Sequence, residues 1–317
     1  MKSVQRDLIC TLFEGDYHKG LVALINSLYK AGFHGDFYAG YKGELPSWQN
    51  NLNSNKRLNS QFKVHFLQLD TSYHLTNYKP DFILKVINLQ KEEWNSIYYL
   101  DPDIVVQAPW DFMREWVSYG VALCEDVNSP LPEYHPKRCA WRKYFGEGGH
   151  KLKFKDSVYV NGGFVGLVRE DLDFINIWRQ LQEEMSVAIG GLDGANMGKG
   201  KQLNADLSSP LSPFSKTDQD ALNATLEAYS GKCSLMGKEA MGFKAGYNIL
   251  PHALGQPKPW DKRFLQSLLL NGVKPSLADK AFWEVPETPI VLNSESYRFL
   301  KKFDIKVSSF ISRFYSS

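Results

Sequence analysis

The chain has 317 residues, 43% of them hydrophobic, enough to bury a full core as one large domain or two closely fused ones. Its 37 Lys+Arg against 35 Asp+Glu leave it almost neutral, so no global charge draws it to nucleic acid and any charged partner must be bound locally. Four cysteines, Cys10, Cys124, Cys139 and Cys233, follow neither a CxxC nor a metal spacing, which argues against a disulfide framework and a zinc site and fits a reducing cytoplasm. The opening stretch to Gly15 is too polar for a secretory signal, and no stretch approaches a membrane span. A cytoplasmic location is therefore expected.

Along the first half, short apolar runs alternate with longer helical patterns, the signature of βαβ units and a mostly parallel sheet. Leu8 to Phe13 reads as the first strand. His18 to Ala31 places Leu21, Leu24, Ile25 and Leu28 on one helical face and stops at Gly32. Asp36 to Ala39 and Phe62 to Leu67 read as short strands, and Asp81 to Gln90 has helical spacing. Ser96 to Leu100 is a buried strand by composition. The later half is less regular: Val158 to Val168 alternates like strands around Gly162-Gly163, and Asp171 to Ala188 reads as a helix. Residues 190–217, rich in Gly, Ser, Pro and Asn, form either an active-site loop or a surface insertion. From Ser294 onward Phe299, Phe303, Phe310, Phe314 and Tyr315 interleave with Lys301, Lys302, Lys306 and Arg313. Such a tail either lies on an anionic membrane surface or is a last helix packed on the body with a solvated basic face. Residues 1–270 are expected to form one α/β unit and residues 271–317 a helical extension.

Four constellations carry chemistry. Asp101-Pro102-Asp103 follows the buried strand Ser96–Leu100, at the strand end where open α/β sheets place their ligand crevice. Two carboxylates at i and i+2 of extended chain point the same way, and Pro102 stiffens the turn, so together they offer hard oxygen ligands to a divalent cation. Far downstream, His252 offers an imidazole that would favour manganese over magnesium, Gly255 permits close backbone approach, and Lys258 supplies a positive charge for a phosphate. Asp218-Gln219-Asp220 and Asn223 cluster at a helix start, where an N-cap at Thr217 or Asp218 explains one acid but not the whole set. Asn161-Gly162-Gly163 sets an amide beside two glycines inside a strand pattern, by close approach of a ligand or by a β-bulge.

In this order the motifs resemble glycosyltransferase family 8, the group that includes glycogenin and bacterial lipopolysaccharide galactosyl- and glucosyltransferases, over about Ile9 to Trp260. Thr11, Phe13 and Tyr17 are similar to the family's opening strand and nucleotide-base loop, although that loop reads Glu14-Gly15-Asp16 where the family commonly has Asn-Asp before the tyrosine. Lys85 resembles the donor-contacting lysine. Asp101 and Asp103 match the metal motif, Asn161 and Gly162 the Asn-Ala-Gly or Asn-Ser-Gly element, Asp218 and Gln219 the Asp-Gln element. His252, Gly255 and Lys258 match the final metal and diphosphate motif. The resemblance implies a GT-A fold, a Rossmann-like mixed and mostly parallel sheet flanked by helices. It implies a UDP-sugar donor, a Mn2+ (or Mg2+) cofactor, retention of anomeric configuration, and a glycan or glycolipid acceptor. Two other readings stay open. A sugar nucleotidyltransferase also joins a nucleotide fold to acidic ligands, but usually has an early glycine-rich loop, and Phe13 to Lys19 holds only Gly15. A non-catalytic sugar-nucleotide or glycan-binding module would not need every ligand intact.

Overall fold

The computed structural model describes residues 6–51, 62–196, 201–210 and 212–314. Strand β1 (Asp7–Glu14) leads into helix α1 (His18–Ala31). The helix ends where Gly32 turns left-handed (φ 82°) and its N–H bonds back to Leu28 and Tyr29, as glycine permits at little cost. Strands β2 (Gly35–Lys42) and β3 (Phe62–Gln68) precede α2 (Lys79–Asn88) and β4 (Ser96–Leu100). Next come α3 (Trp110–Val117), β5 (Val121–Cys124), α4 (Pro136–Glu147), β6 (Phe164–Val168) and α5 (Asp173–Ile189). The chain closes with α6 (Ala205–Ser208), α7 (Thr217–Ala228), β7 (Cys233–Met236), α8 (Phe264–Asn271), α9 (Leu277–Glu284) and α10 (Glu295–Ile311).

The seven strands form one sheet in the order β3-β2-β1-β4-β6-β5-β7. Pairing is parallel except at β6, which runs antiparallel to both β4 and β5. Strand alternation divides the core into two layers. Leu8, Cys10 and Leu12 join Ile97 and Tyr99 on the face covered by Phe82 of α2, Trp141 of α4, Trp178 of α5 and Leu222 of α7. Ile9 and Phe13 join Tyr98 and Leu100 on the face covered by Leu21, Leu24 and Leu28 of α1 and by Trp110 and Met113 of α3. The expected mixed, mostly parallel sheet flanked by helices is thus observed. Of the strands expected around Gly162-Gly163, the second forms β6 from Phe164, whereas ahead of the glycines Val160 makes only an isolated bridge to Glu125.

Helices α8 to α10 gather on Trp260, Ala23 and Val105 through Phe264, Phe282, Trp283 and Ile305. Asn26 of α1 bonds both ways with the backbone of Ile290, tying the segment between α9 and α10 to the first helix. No helix among the described residues is long and apolar enough to cross a membrane.

Candidate active site

Between β1 and β4 the strand order reverses, because β2 continues from one side of β1 and β4 from the other. A crevice opens there, beyond the carboxyl ends of the two strands. It is a cavity of about 430 Å3, lined by Leu12, Phe13 and Glu14 from β1, by Asp101, Pro102 and Asp103 after β4, and by Tyr17, Lys79, Asn161, Gly162, Asp218, Gln219, His252, Gly255 and Lys258, among others. Gly20 lets the start of α1 press on this rim; a Cβ there would meet the Pro102 carbonyl at 2.5 Å.

His252 reaches the acidic turn because an antiparallel bridge pairs it with Ile104, reinforced by the Ala253 N–H bonding to the Asp103 carbonyl. Its Nε2 stands 3.2 Å from Asp103 Oδ1 and 3.8 Å from Asp101 Oδ2. One donor atom from each of Asp101, Asp103 and His252 falls within 4.8 Å of the others. Two carboxylates and an imidazole at that spacing fit a divalent cation of the manganese or magnesium kind. Lys258 donates to Asp103 and to the Ala253 carbonyl. Burial raises the Asp103 carboxyl, but His252 and Lys258 outweigh it and hold Asp103 well below the usual carboxylate range.

Opposite lies a second charged group. Lys79, the first residue of α2, is buried, with its Nζ 2.9 Å from Asp218 Oδ2, 3.2 Å from Asp101 Oδ1 and 2.8 Å from the Gly162 carbonyl. Burial alone would lower its ammonium; Asp101 and Asp218 outweigh that and hold it above the usual lysine range. Burial pushes the Asp218 carboxyl up, with Lys79 opposing. Asp218 Oδ1 is buried without a hydrogen-bond partner, and so is Gln219 Nε2, whereas Gln219 Oε1 accepts from the Gly162 N–H at 3.0 Å. Orphaned buried groups are rare, and two on one cavity wall leave it able to bond a polar ligand. Asp220, one position beyond Gln219, has another task. It accepts from Lys137, from the Tyr159 hydroxyl and from the Lys216 N–H, so it anchors the helix start from beneath.

The glycine pair is explained by protein rather than ligand contacts. A Cβ on Gly162 would meet Asp218 Oδ2 at 2.8 Å, and one on Gly163 would meet His252 Cε1 at 2.6 Å. Gly255 is left-handed (φ +69°) and has no atom within 4 Å of where its Cβ would be, leaving open space at the mouth.

The structure thus brings Phe13, Tyr17, Asp101, Asp103, Asn161, Gly162, Asp218, Gln219, His252, Gly255 and Lys258 to one cavity, and leaves two expected residues outside its lining. Thr11 is buried in β1, one residue short of the strand end that lines the crevice. Lys85 is exposed on α2; Lys79, six residues earlier, occupies the site instead. Sequence reasoning missed Lys79, although Pro80 beside it is a helix-start signal. It also missed Tyr99, whose hydroxyl donates to Asp101 at 2.9 Å. From the stretch 190–217, Asn196 lines the cavity.

Among solved structures, the chain is similar to the glycosyltransferase GlyE of Streptococcus pneumoniae TIGR4, with TM-score 0.51 and 15% identity, covering 96% of this chain and 64% of that one. It is similar also to the galactosyltransferase LgtC, solved in complex with donor and acceptor sugar analogues, with TM-score 0.51 and 12% identity, covering 92% of this chain and 99% of that one. The fold is that of the GT-A glycosyltransferases. No family model and no curated protein matches the sequence. The chain spans just under two thirds of GlyE and nearly all of LgtC. At these identities the likeness concerns the GT-A fold alone.

Proposed function

We propose that this protein is a retaining hexosyltransferase that moves a sugar from a UDP-sugar to a glycan or glycolipid acceptor with the help of a divalent cation, manganese or magnesium. One observation carries the reading: a single crevice holds a three-donor cation set and, across from it, the buried pair Asp218 and Gln219 with unpartnered polar atoms. Sugar transfer needs both halves. The leaving diphosphate develops negative charge; Asp101, Asp103 and His252 would hold a divalent cation, which would supply a Lewis acid to neutralise it. Lys258 offers its ammonium to the same phosphates. Asp218 places negative charge beside the anomeric carbon, as nucleophile or as electrostatic partner, and Gln219 Nε2 donates to a sugar oxygen. Lys79 keeps Asp101 and Asp218 apart as charges while both face one ligand. Phe13 and Tyr17 form the wall for the base.

The test is manganese-dependent release of UDP from a panel of UDP-sugars without acceptor. Slow release that is lost in Asp103→Ala and reduced in Asp218→Asn supports a transferase. Release of pyrophosphate from a nucleoside triphosphate and sugar phosphate would instead mark a nucleotidyltransferase, and ligand binding with no turnover a non-catalytic module.

The C-terminal helix supports a location for the acceptor. Phe299, Phe303 and Phe310 fall on one exposed stripe of α10, continued by Phe314, whose ring lies 5.5 Å from that of Phe310. Tyr315 lies outside the described residues. Beside the stripe a groove of about 430 Å3 is lined by Lys280, Lys302, Lys306 and Arg313, by Glu284, which pairs with Lys302 at 2.9 Å, and by Ser309, whose hydroxyl is buried without a partner. Aromatic side chains next to cations suit the headgroup region of an anionic membrane. We infer peripheral contact there, at the cytoplasmic face, which would present a glycolipid acceptor to the crevice.

A further inference from the structure

We propose that Asp126 is a positioning residue that sets the tautomer and ring direction of His252 through the side chain of Asn161. The inference rests on reading Asp101, Asp103 and His252 as cation ligands. Asn161 lines the cavity, yet both ends of its amide are engaged by protein. Its Nδ2 donates to Asp126 Oδ2 at 2.7 Å, while its Oδ1 accepts from the Gly163 N–H at 2.9 Å and lies 3.1 Å from His252 Nδ1. All three side chains are buried.

An amide can in principle be turned either way round, and an imidazole can carry its proton on either nitrogen. Here the neighbours remove both freedoms. Gly163 presents a backbone N–H, which needs an acceptor, and Asp126 presents a carboxylate oxygen, which needs a donor. The amide of Asn161 therefore stands with Oδ1 toward His252, and His252 must carry its proton on Nδ1. The lone pair of Nε2 is left facing Asp101 and Asp103. Ligating histidines are commonly held by such a partner on the second nitrogen; in this chain the holding group is an amide whose own orientation is set by a carboxylate two residues beyond β5.

Asp126 divides its oxygens. Oδ1 accepts from the Asn128 N–H at 2.9 Å and from the Asn128 amide, which secures the local turn, and Oδ2 serves Asn161. Lys216 Nζ approaches Oδ1 only to 3.9 Å. Asp126→Asn can therefore keep the turn through Oδ1 while replacing the acceptor for Asn161 by a donor. Asn161 is then driven to turn over, and the acceptor for the His252 Nδ1 proton is lost. Adding Asn161→Asp to Asp126→Asn reverses the polarity of the link: the amide at 126 donates to the carboxylate at 161, whose other oxygen accepts from Gly163 and His252.

The experiment measures Mn2+ binding to the nucleotide-free full chain by titration against the free-ion spin-resonance signal. Asp126→Asn is expected to weaken binding by about 10–100-fold, and the double variant to return it to within about threefold of wild type. A purely structural role for Asp126 would not be rescued by the swap. The tautomer is read directly by nitrogen-15 NMR of the wild-type imidazole in the presence of Mg2+. A His252 proton on Nε2 overturns the proposal whatever the variants do. So does unchanged Mn2+ binding in Asp126→Asn while His252→Ala loses it, and so does a folded double variant that stays weak. Unchanged binding in His252→Ala would instead remove the cation site on which the inference rests.

Discussion

Lys258 rests its ammonium on Asp103, the carboxylate that also faces His252 Nε2, and takes a second acceptor from the Ala253 carbonyl. Without a cation, the ammonium of Lys258 compensates the buried acid. A cation entering between Asp101, Asp103 and His252 would meet that ammonium as a like charge, whereas a diphosphate arriving with it would give the ammonium a new partner. Lys258→Met is therefore expected to tighten Mn2+ binding in the absence of nucleotide and to weaken UDP binding in its presence, each by about tenfold, the scale of one charge-assisted contact. Calorimetric titration of each ligand alone and of both together checks the opposite signs. Equal losses in both would mean that Lys258 only holds Asp103 in place.

Gly163 sits beneath His252 so closely that an added methyl would stand 2.6 Å from Cε1 and 2.9 Å from Nδ1. Gly163→Ala should push the ring away from Asp103, lower Mn2+ affinity at least tenfold by loss of one ligand, and cost about 1–3 kcal/mol of stability from overpacking. Gly146→Ala, in α4 with nothing within 4 Å of its Cβ position, serves as the control and should leave cation binding unchanged and stability no lower than wild type. A Gly163→Ala chain with wild-type cation binding would show that the ring moves freely.

Asp81, in the first turn of α2, is pushed up to about 6, first by burial, with Arg179 opposing and Glu183 adding to it. A carboxyl raised on folding stabilises the native state while protonated in it. That contribution is full below the unfolded value of about 4 and is lost as pH rises through about 6. Asp81→Asn should thus gain about 1 kcal/mol over wild type at neutral pH, a figure reduced for the partial exposure of the site, and gain nothing in acid. Thermal midpoints of both chains across that window decide it; a difference independent of pH would assign the effect to packing.

Exposed Phe303 and Phe310 on α10 are expected to enter an anionic bilayer interface alongside Lys306 and Arg313. In flotation with vesicles of neutral lipid alone or with added anionic lipid, the chain should bind only the second, more weakly at high salt. Phe303→Ser with Phe310→Ser should abolish that binding and leave UDP release from a UDP-sugar unaltered. Wild-type chain that ignores both vesicles would refute the membrane contact.

Much of the framework can be read in the linear order of residues. Helix α1 falls at the residues its apolar spacing and Gly32 indicate, and β4 ends at Leu100, directly before Asp101. Each depends on near neighbours, whose periodicity and end signals are local properties of the chain. The acidic turn, His252 and Lys258 were legible as chemistry because those residue types have few other uses in apolar surroundings. Strands β5 and β7 have only four residues each, too short for alternation to stand out, and were passed over.

What remained undecided concerns direction and partnership. Lys79 and Lys85 lie on the same helix, and nothing in their spacing tells which one turns inward; packing of α2 against α5 and the sheet sends Lys79 into the crevice and Lys85 to solvent. Asp218 and Asp220 are alike on paper. Lys137 and Tyr159, remote in sequence, take Asp220 for the framework and leave Asp218 with an open oxygen. The sequence alone determined which elements form and which residues are capable of the chemistry, because propensity, periodicity and ionisability belong to each residue and its neighbours. Only the tertiary structure decided which of those residues share a cavity and which are already neutralised, because burial and ion pairing depend on partners remote in sequence, such as Asp103 and Lys258, 155 positions apart.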